Sequence, residues 1–146
     1  MQTPCCTDIE ELIPHRGRMK LIDEVLDIDD DKAVTRARVS DQWPLCRDLF
    51  VDPIVLIEVV AQTSAVYISG KTEGGRSATD RRGWMVGVKN ADFFCDRIPV
   101  DTILRTTVRS LYHIDQYNVI AGEVQAGDDM LCRVEIQVLR ESEETA

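Results

Sequence analysis

The sequence predicts an α+β domain in which one antiparallel sheet curves around one long central helix. Three observations carry this. Residues 54–69 (IVLIEVVAQTSAVYIS) form an apolar run with a single charge, Glu58, too long for a strand and too short for a membrane span. Two strand-like runs precede it and four follow it. In the last of these, Cys132, Val134, Ile136 and Val138 alternate with Arg133, Glu135 and Gln137, the period of two that leaves one face wet. At 146 residues with a hydrophobic fraction of 44%, the chain is expected to fold as a single domain, 1–146, around its own core.

Each element has a local reason. Thr7-Asp8-Ile9-Glu10 fits a capping box and predicts a short helix over 8–13, ended by Pro14. Residues 19–28 and 33–40 repeat apolar and β-branched side chains at strand spacing, and the mostly acidic turn from Asp29 to Lys32 makes them a hairpin. Residues 41–52 show no clean period and read as a loop. Asp52-Pro53 then supplies an N-cap and a proline for the first helical position, and Gly70 a C′ stop. A helix apolar nearly all round must be buried on most sides, and its stripe Ile54, Ile57, Ala61, Ala65 and Ile68 reads as core. Residues 71–82 read as a flexible, partly basic loop. Strands are expected at 84–95, 102–113, 117–126 and 130–140, the last two joined by Gly127-Asp128-Asp129. Residues 141–146 form an acidic tail.

Composition narrows the function. Lys and Arg total 17 against 26 Asp and Glu, a net charge of −9, which argues against a nucleic-acid binder and against docking on anionic membrane. Five cysteines without paired spacing and only two histidines, His15 and His113, leave no disulfide framework and no protein-held metal site, and no cofactor is expected. Met1 to Glu11 carries neither a basic n-region nor an apolar run, so a reduced, cytoplasmic protein is expected.

Glu58 is the first candidate for chemistry. Burial in an apolar helix raises a carboxyl's pKa unless a cation pairs with it, and a partly protonated acid near neutral pH is a proton donor. The bland alternatives are a structural ion pair or a place at a dimer seam. Gln62 follows four residues on, on the same helical face. The N–H groups near Ile54 to Ile57 form a second candidate, since a free helix N-terminus polarises a carbonyl whose negative charge grows. Any histidine partner for Glu58 must be His15, in Pro14-His15-Arg16-Gly17, or His113. Lys71, Arg76, Arg81-Arg82 and Arg97 either hold a phosphate group or are simply solvated.

Leu12-Ile13-Pro14-His15-Arg16, followed by Met19-Lys20-Leu21-Ile22-Asp23-Glu24-Val25, resembles the opening of the (3R)-hydroxyacyl-acyl-carrier-protein dehydratases of the hotdog superfamily. Asp52-Pro53-Ile54-Val55-Leu56-Ile57-Glu58-Val59-Val60-Ala61-Gln62 is similar to that family's central helix. Gly87-Val88-Lys89-Asn90-Ala91-Asp92-Phe93 is similar to the strand after it. The resemblance implies a hotdog fold assembled as a dimer, with an acyl chain on acyl carrier protein or coenzyme A entering at the dimer interface. It also implies that Glu58 assists loss of the 3-hydroxyl. The family's proton-abstracting histidine lies in a Gly-His-Phe-Pro-Gly loop before the helix. Here that stretch reads Cys46-Arg47-Asp48-Leu49-Phe50-Val51-Asp52, which is closer to the divergent dehydratase-like branch associated with aryl-polyene and related lipid clusters. His15 is left as the stand-in. Asp52, Ile54, Val55 and Gln62 are expected to bind substrate, with bulk at 54–56 either narrowing the acyl pocket or shifting it.

Three readings follow. The first is a dehydratase acting on 3-hydroxyacyl thioesters of acyl carrier protein or coenzyme A, with Glu58 as acid and His15 as base, working as a homodimer or higher homo-oligomer. The second is an acyl thioesterase in which Glu58 activates water and Gln62 orients it. The third is a catalytically degenerate acyl-binding subunit that completes a heterodimer with a paralogue.

Overall fold

The computed structural model describes residues 9–71 and 83–140. Nine strands and one long helix occur among them, in the order β1 (Glu24–Ile28), β2 (Lys32–Arg38), β3 (Cys46–Arg47), β4 (Phe50–Val51), α1 (Val55–Lys71), β5 (Gly83–Phe93), β6 (Ile98–Pro99), β7 (Ile103–Ile114), β8 (Tyr117–Ala126) and β9 (Asp129–Arg140). Six strands form one antiparallel sheet in the order β1-β2-β7-β8-β9-β5, wrapped on α1, and β3-β4-β6 form a small second sheet. The expected α+β architecture is therefore present, with the hairpin turn at Gly127 taking the positive φ of +61° that glycine tolerates.

α1 lies across β2, β7, β8 and β9 and buries Val55, Leu56, Val59, Val60, Val66 and Tyr67 against them. The approach is closest at Gly122 on β8, where a Cβ would stand 2.5 Å from a Val60 methyl. Only glycine lets the helix settle so near the sheet. The polar groups carried into this layer are all satisfied: Thr35 and Thr63 share a hydroxyl–hydroxyl bond of 2.8 Å, and Ser64 donates to the Val60 carbonyl.

Several local expectations are corrected. The described part of the first helix is a 3₁₀ turn, Ile9–Glu11, and Thr7 of the capping box lies outside the described residues. The run at 19–28 is a strand only from Glu24; Gly17–Met19 is a second 3₁₀ turn, and Leu21 and Ile22 are buried in an extended segment. The loop at 41–52 contains β3 and β4, held by pairing with β6. Gly70 does not stop the helix, which continues to Lys71; its missing side chain instead makes room for Ile28, whose Cγ2 would lie 3.0 Å from a Cβ there. The stripe Ile54, Ile57, Ala61, Ala65 and Ile68 is the less buried side of α1, not its core face, and Glu58 stands on it. No helix among the described residues is long and apolar enough to cross a membrane.

Candidate active site

Asp52 begins the helix as its N-cap: the Oδ1 accepts from the Ile54 N–H at 3.0 Å. The next N–H groups are also taken, Val55 by the Asp52 carbonyl, Leu56 by that of Pro53 and Ile57 by that of Ile54, at 2.9–3.1 Å. The expected carbonyl-polarising helix end is thus closed, because the first turn tightens into 3₁₀-type bonds that use the donors.

One turn further on, Glu58 is reached by the N-terminal segment, which runs along α1 and is strapped to it twice. Ser69 donates to the Leu12 carbonyl at 2.7 Å. Gln62, wholly buried, receives the Leu21 and Ile22 N–H groups on its Oε1 and donates through Nε2 to the Met19 carbonyl at 2.6 Å. Those two incoming N–H groups dictate which end of the amide is oxygen. The amino end must therefore face Glu58, and it donates to Oε2 at 3.1 Å.

Between the two straps the segment brings His15 to Glu58, with Nε2 3.0 Å from the same Oε2. Both side chains are about a quarter to a third exposed. The contacts that hold Glu58 both fall on Oε2. His15 Nδ1 is closed from solvent and without a hydrogen-bond partner. For the Glu58 pKa the paired case applies, with His15 as the partner. Burial is the largest single influence and pushes it up, but the hydrogen bonds from His15 and Gln62, with the charge of His15, together hold it below the ordinary carboxylate value. The isolated chain therefore rests with Glu58 ionised.

The remaining candidates separate. His113 is exposed near the tip of the β7–β8 hairpin. Of the four expected substrate contacts, Ile54, 53% exposed, and Asp52 lie at the surface. Val55 is core, Asp52 is occupied by its cap, and the amide of Gln62 is fully used inside the protein. Met19, half exposed, is tied through its carbonyl to the same Gln62 amide that donates to Glu58, which nothing in the sequence signals. Arg97 lies over the Phe50 ring at 4.0 Å, and the side chains of Lys71, Arg76, Arg81 and Arg82 are outside the described residues. A groove of about 840 Å³ opens elsewhere, between Asp23, Arg38, Asp41, Asp48 and Asp101, and neither Glu58 nor His15 lines it. The Cys132 thiol is pushed up to about 12 by burial and is no nucleophile.

A model of the ApeP-like family, described as ApeP dehydratase, matches residues 7–146. A 3-hydroxyacyl-acyl-carrier-protein dehydratase FabZ of Streptococcus uberis is 34% identical over 104 residues, covering 68% of this chain and 71% of that protein. The FabZ of Polynucleobacter asymbioticus is 26% identical and covers 92% of this chain and 97% of the relative. Among solved structures, the dehydratase heterocomplex ApeI:P from Xenorhabdus doucetiae superposes with a TM-score of 0.81 at 16% identity, over 92% of this chain and 91% of that one. A hypothetical thioesterase from Streptococcus pneumoniae, determined with coenzyme A, gives 0.63 at 11% identity over 84% and 88%. At such identities these two likenesses speak for the fold alone.

Proposed function

The chain belongs to the ApeP-like dehydratase family, and from that footing we propose that it removes water from 3-hydroxyacyl thioesters with Glu58 and His15 as its acid–base pair. One observation carries the reading: the 3.0 Å contact between His15 and Glu58, made inside a single chain by a segment that replaces the histidine loop before the helix.

The pair suits the chemistry once the half-open stripe is covered. Desolvation disfavours the carboxylate, so an acyl chain lying along Ile54 and Ile57 favours the arrangement in which Glu58 holds the one proton shared by the pair. Glu58 is then a neutral acid and Nε2 a free base. Nε2 takes the proton from C2 and Glu58 gives its proton to the 3-hydroxyl. The C2–H and C3–O bonds break, the C2–C3 double bond forms, and water leaves. The pair returns directly to its resting charges. This route assigns no hydrogen bond to the helix N-terminus, whose donors are in use.

The thioesterase alternative needs a side chain to orient water. Gln62 was its candidate, and that amide is fully bonded within the protein. For partners, the reading is a second hotdog chain, identical or paralogous, paired along β5. That strand is eleven residues long, lies at the sheet edge and exposes Met85, Val86, Val88 and Phe93. An edge of that length and character is a template for strand pairing. The substrate is carried on acyl carrier protein or coenzyme A, and the working place is the cytoplasm.

The test follows enoyl-thioester absorbance and free thiol together, on short and medium 3-hydroxyacyl and 2-enoyl thioesters. Enoyl interconversion that disappears in Glu58→Gln is expected. Thiol release lost in that variant would move the protein to the thioesterases, and silence on every substrate would leave a binding subunit.

A further inference from the structure

We propose that Arg16 is a positioning residue that keeps the His15 imidazole on Glu58 by fastening the backbone on both sides of it. The inference rests on the dehydratase reading for its catalytic consequence, though not for its structural one. Histidines in acid–base pairs are ordinarily aimed by a hydrogen bond on the second ring nitrogen. His15 has none: its Nδ1 is closed from solvent and unpartnered. Apart from Glu58 itself, the aim of the ring therefore depends on where the backbone of residue 15 is held.

That backbone is anchored in the core at Ile13 and again at Leu21, both buried. The stretch between passes through Pro14, then Gly17 at a φ of +62°, and lies outside the sheet. Arg16 bridges it. Its Nη1 donates to the carbonyls of Ile13 and His15, each at 2.8 Å, and its Nη2 to the carbonyl of Glu10 at 2.9 Å. The Nε lies 3.5 Å from the Glu10 carboxylate, which Lys20 also meets at 3.2 Å. A planar guanidinium reaches three carbonyls around one turn at once, whereas an ammonium is a point donor without that fork. The charge itself is not what matters, since the side chain is about half exposed.

The test compares Arg16→Lys, Arg16→Gln and Glu10→Gln in the full chain, with His15→Gln as the reference for a lost contact. The first readout needs no substrate: the titration midpoint of the Glu58 carboxyl by carbon NMR. His15 lowers that midpoint, so loosening the ring raises it. Both Arg16 variants are expected to move it towards the His15→Gln value, and Glu10→Gln, which keeps the carbonyl bonds, to leave it in place. On 3-hydroxyacyl thioesters, both Arg16 variants should lose on the order of tenfold to a hundredfold in kcat with KM little changed, the cost of a small misplacement of a reacting group. An unmoved midpoint in the two Arg16 variants overturns the proposal. So does a loss confined to KM, which would make Arg16 a substrate contact. Should the wild type dehydrate nothing, the dehydratase reading fails and the titration still decides the role of Arg16.

Discussion

Two segments flank the central helix, and they have opposite characters. Residues 12–22 have almost no regular structure, yet they are tied to α1 by Ser69 and Gln62, anchored by Ile13, Leu21 and Ile22, and end up carrying an imidazole to Glu58. Residues 45–52 form regular if tiny strands, pinned by β6 and by Arg97 over Phe50, and send no described hydrogen bond or ion pair to Glu58. They are also strained. Asp48 and Leu49 make a two-residue turn at φ of 54° and 70°, after Leu45 at 63°, and both leucines are exposed. The contact with Glu58 has followed attachment to the helix and not regularity. An acid–base pair needs its members held against each other, and the side chain of Gln62 does that for the first segment in a way nothing does for the second.

The largest effect expected from breaking this contrast is at the pair itself. Glu58→Gln and His15→Ala should each lower kcat by about 10²–10⁴-fold, the usual contribution of a positioned acid or base, measured as enoyl-thioester formation. Gln62→Leu comes next, because it leaves the buried Leu21 and Ile22 N–H groups without their acceptor, at about 1–3 kcal/mol in urea unfolding. It should also shift the pH profile. Glu58 is ionised at rest with a pKa below the ordinary value, so activity is lost as pH falls through that value. Removing the Gln62 bond raises the pKa, and the acid limb of kcat/KM must move to higher pH. An unmoved limb would detach Gln62 from Glu58.

Smaller effects should come from the second segment. Asp52→Ala removes the cap on Ile54 and should cost about 1 kcal/mol in thermal unfolding without raising KM. A raised KM would return Asp52 to the substrate. Leu49→Gly relieves a left-handed residue and should change stability by no more than about 1 kcal/mol, in the stabilising direction, with kcat and KM intact. A fall in kcat would place the β3–β4 turn in the site and undo the contrast.

The fold was legible wherever a short-range pattern decides it. Alternation in β9, the Gly127 turn and the length of α1 each point to one structure, and Asp52 caps as its position before Pro53 implies. What depended on distant packing was not. A helix apolar nearly all round cannot reveal which face meets the sheet, so the open stripe beside Glu58 was read as core. Gln62 looked like a substrate contact because a polar group in an apolar helix invites that reading, while its real partners are backbone groups of a segment far away in sequence. The β3–β4 hairpin stayed hidden because Asp48-Leu49 lacks the glycine or asparagine that advertises such a turn. His15 and Glu58 were both named from the sequence. Their meeting was not, since it hangs on straps made by Gln62 and Ser69.

In the proposed dehydratase each chain builds its own acid–base pair from residues 15 and 58. Co-expressing His15→Ala and Glu58→Gln chains with different tags, and purifying the doubly tagged complex, shows whether it does. If the pair forms within one chain, every site in that complex lacks one member, and no enoyl-thioester formation is recovered. Recovered activity would mean that the histidine of one chain works with the carboxylate of the other, contradicting the account.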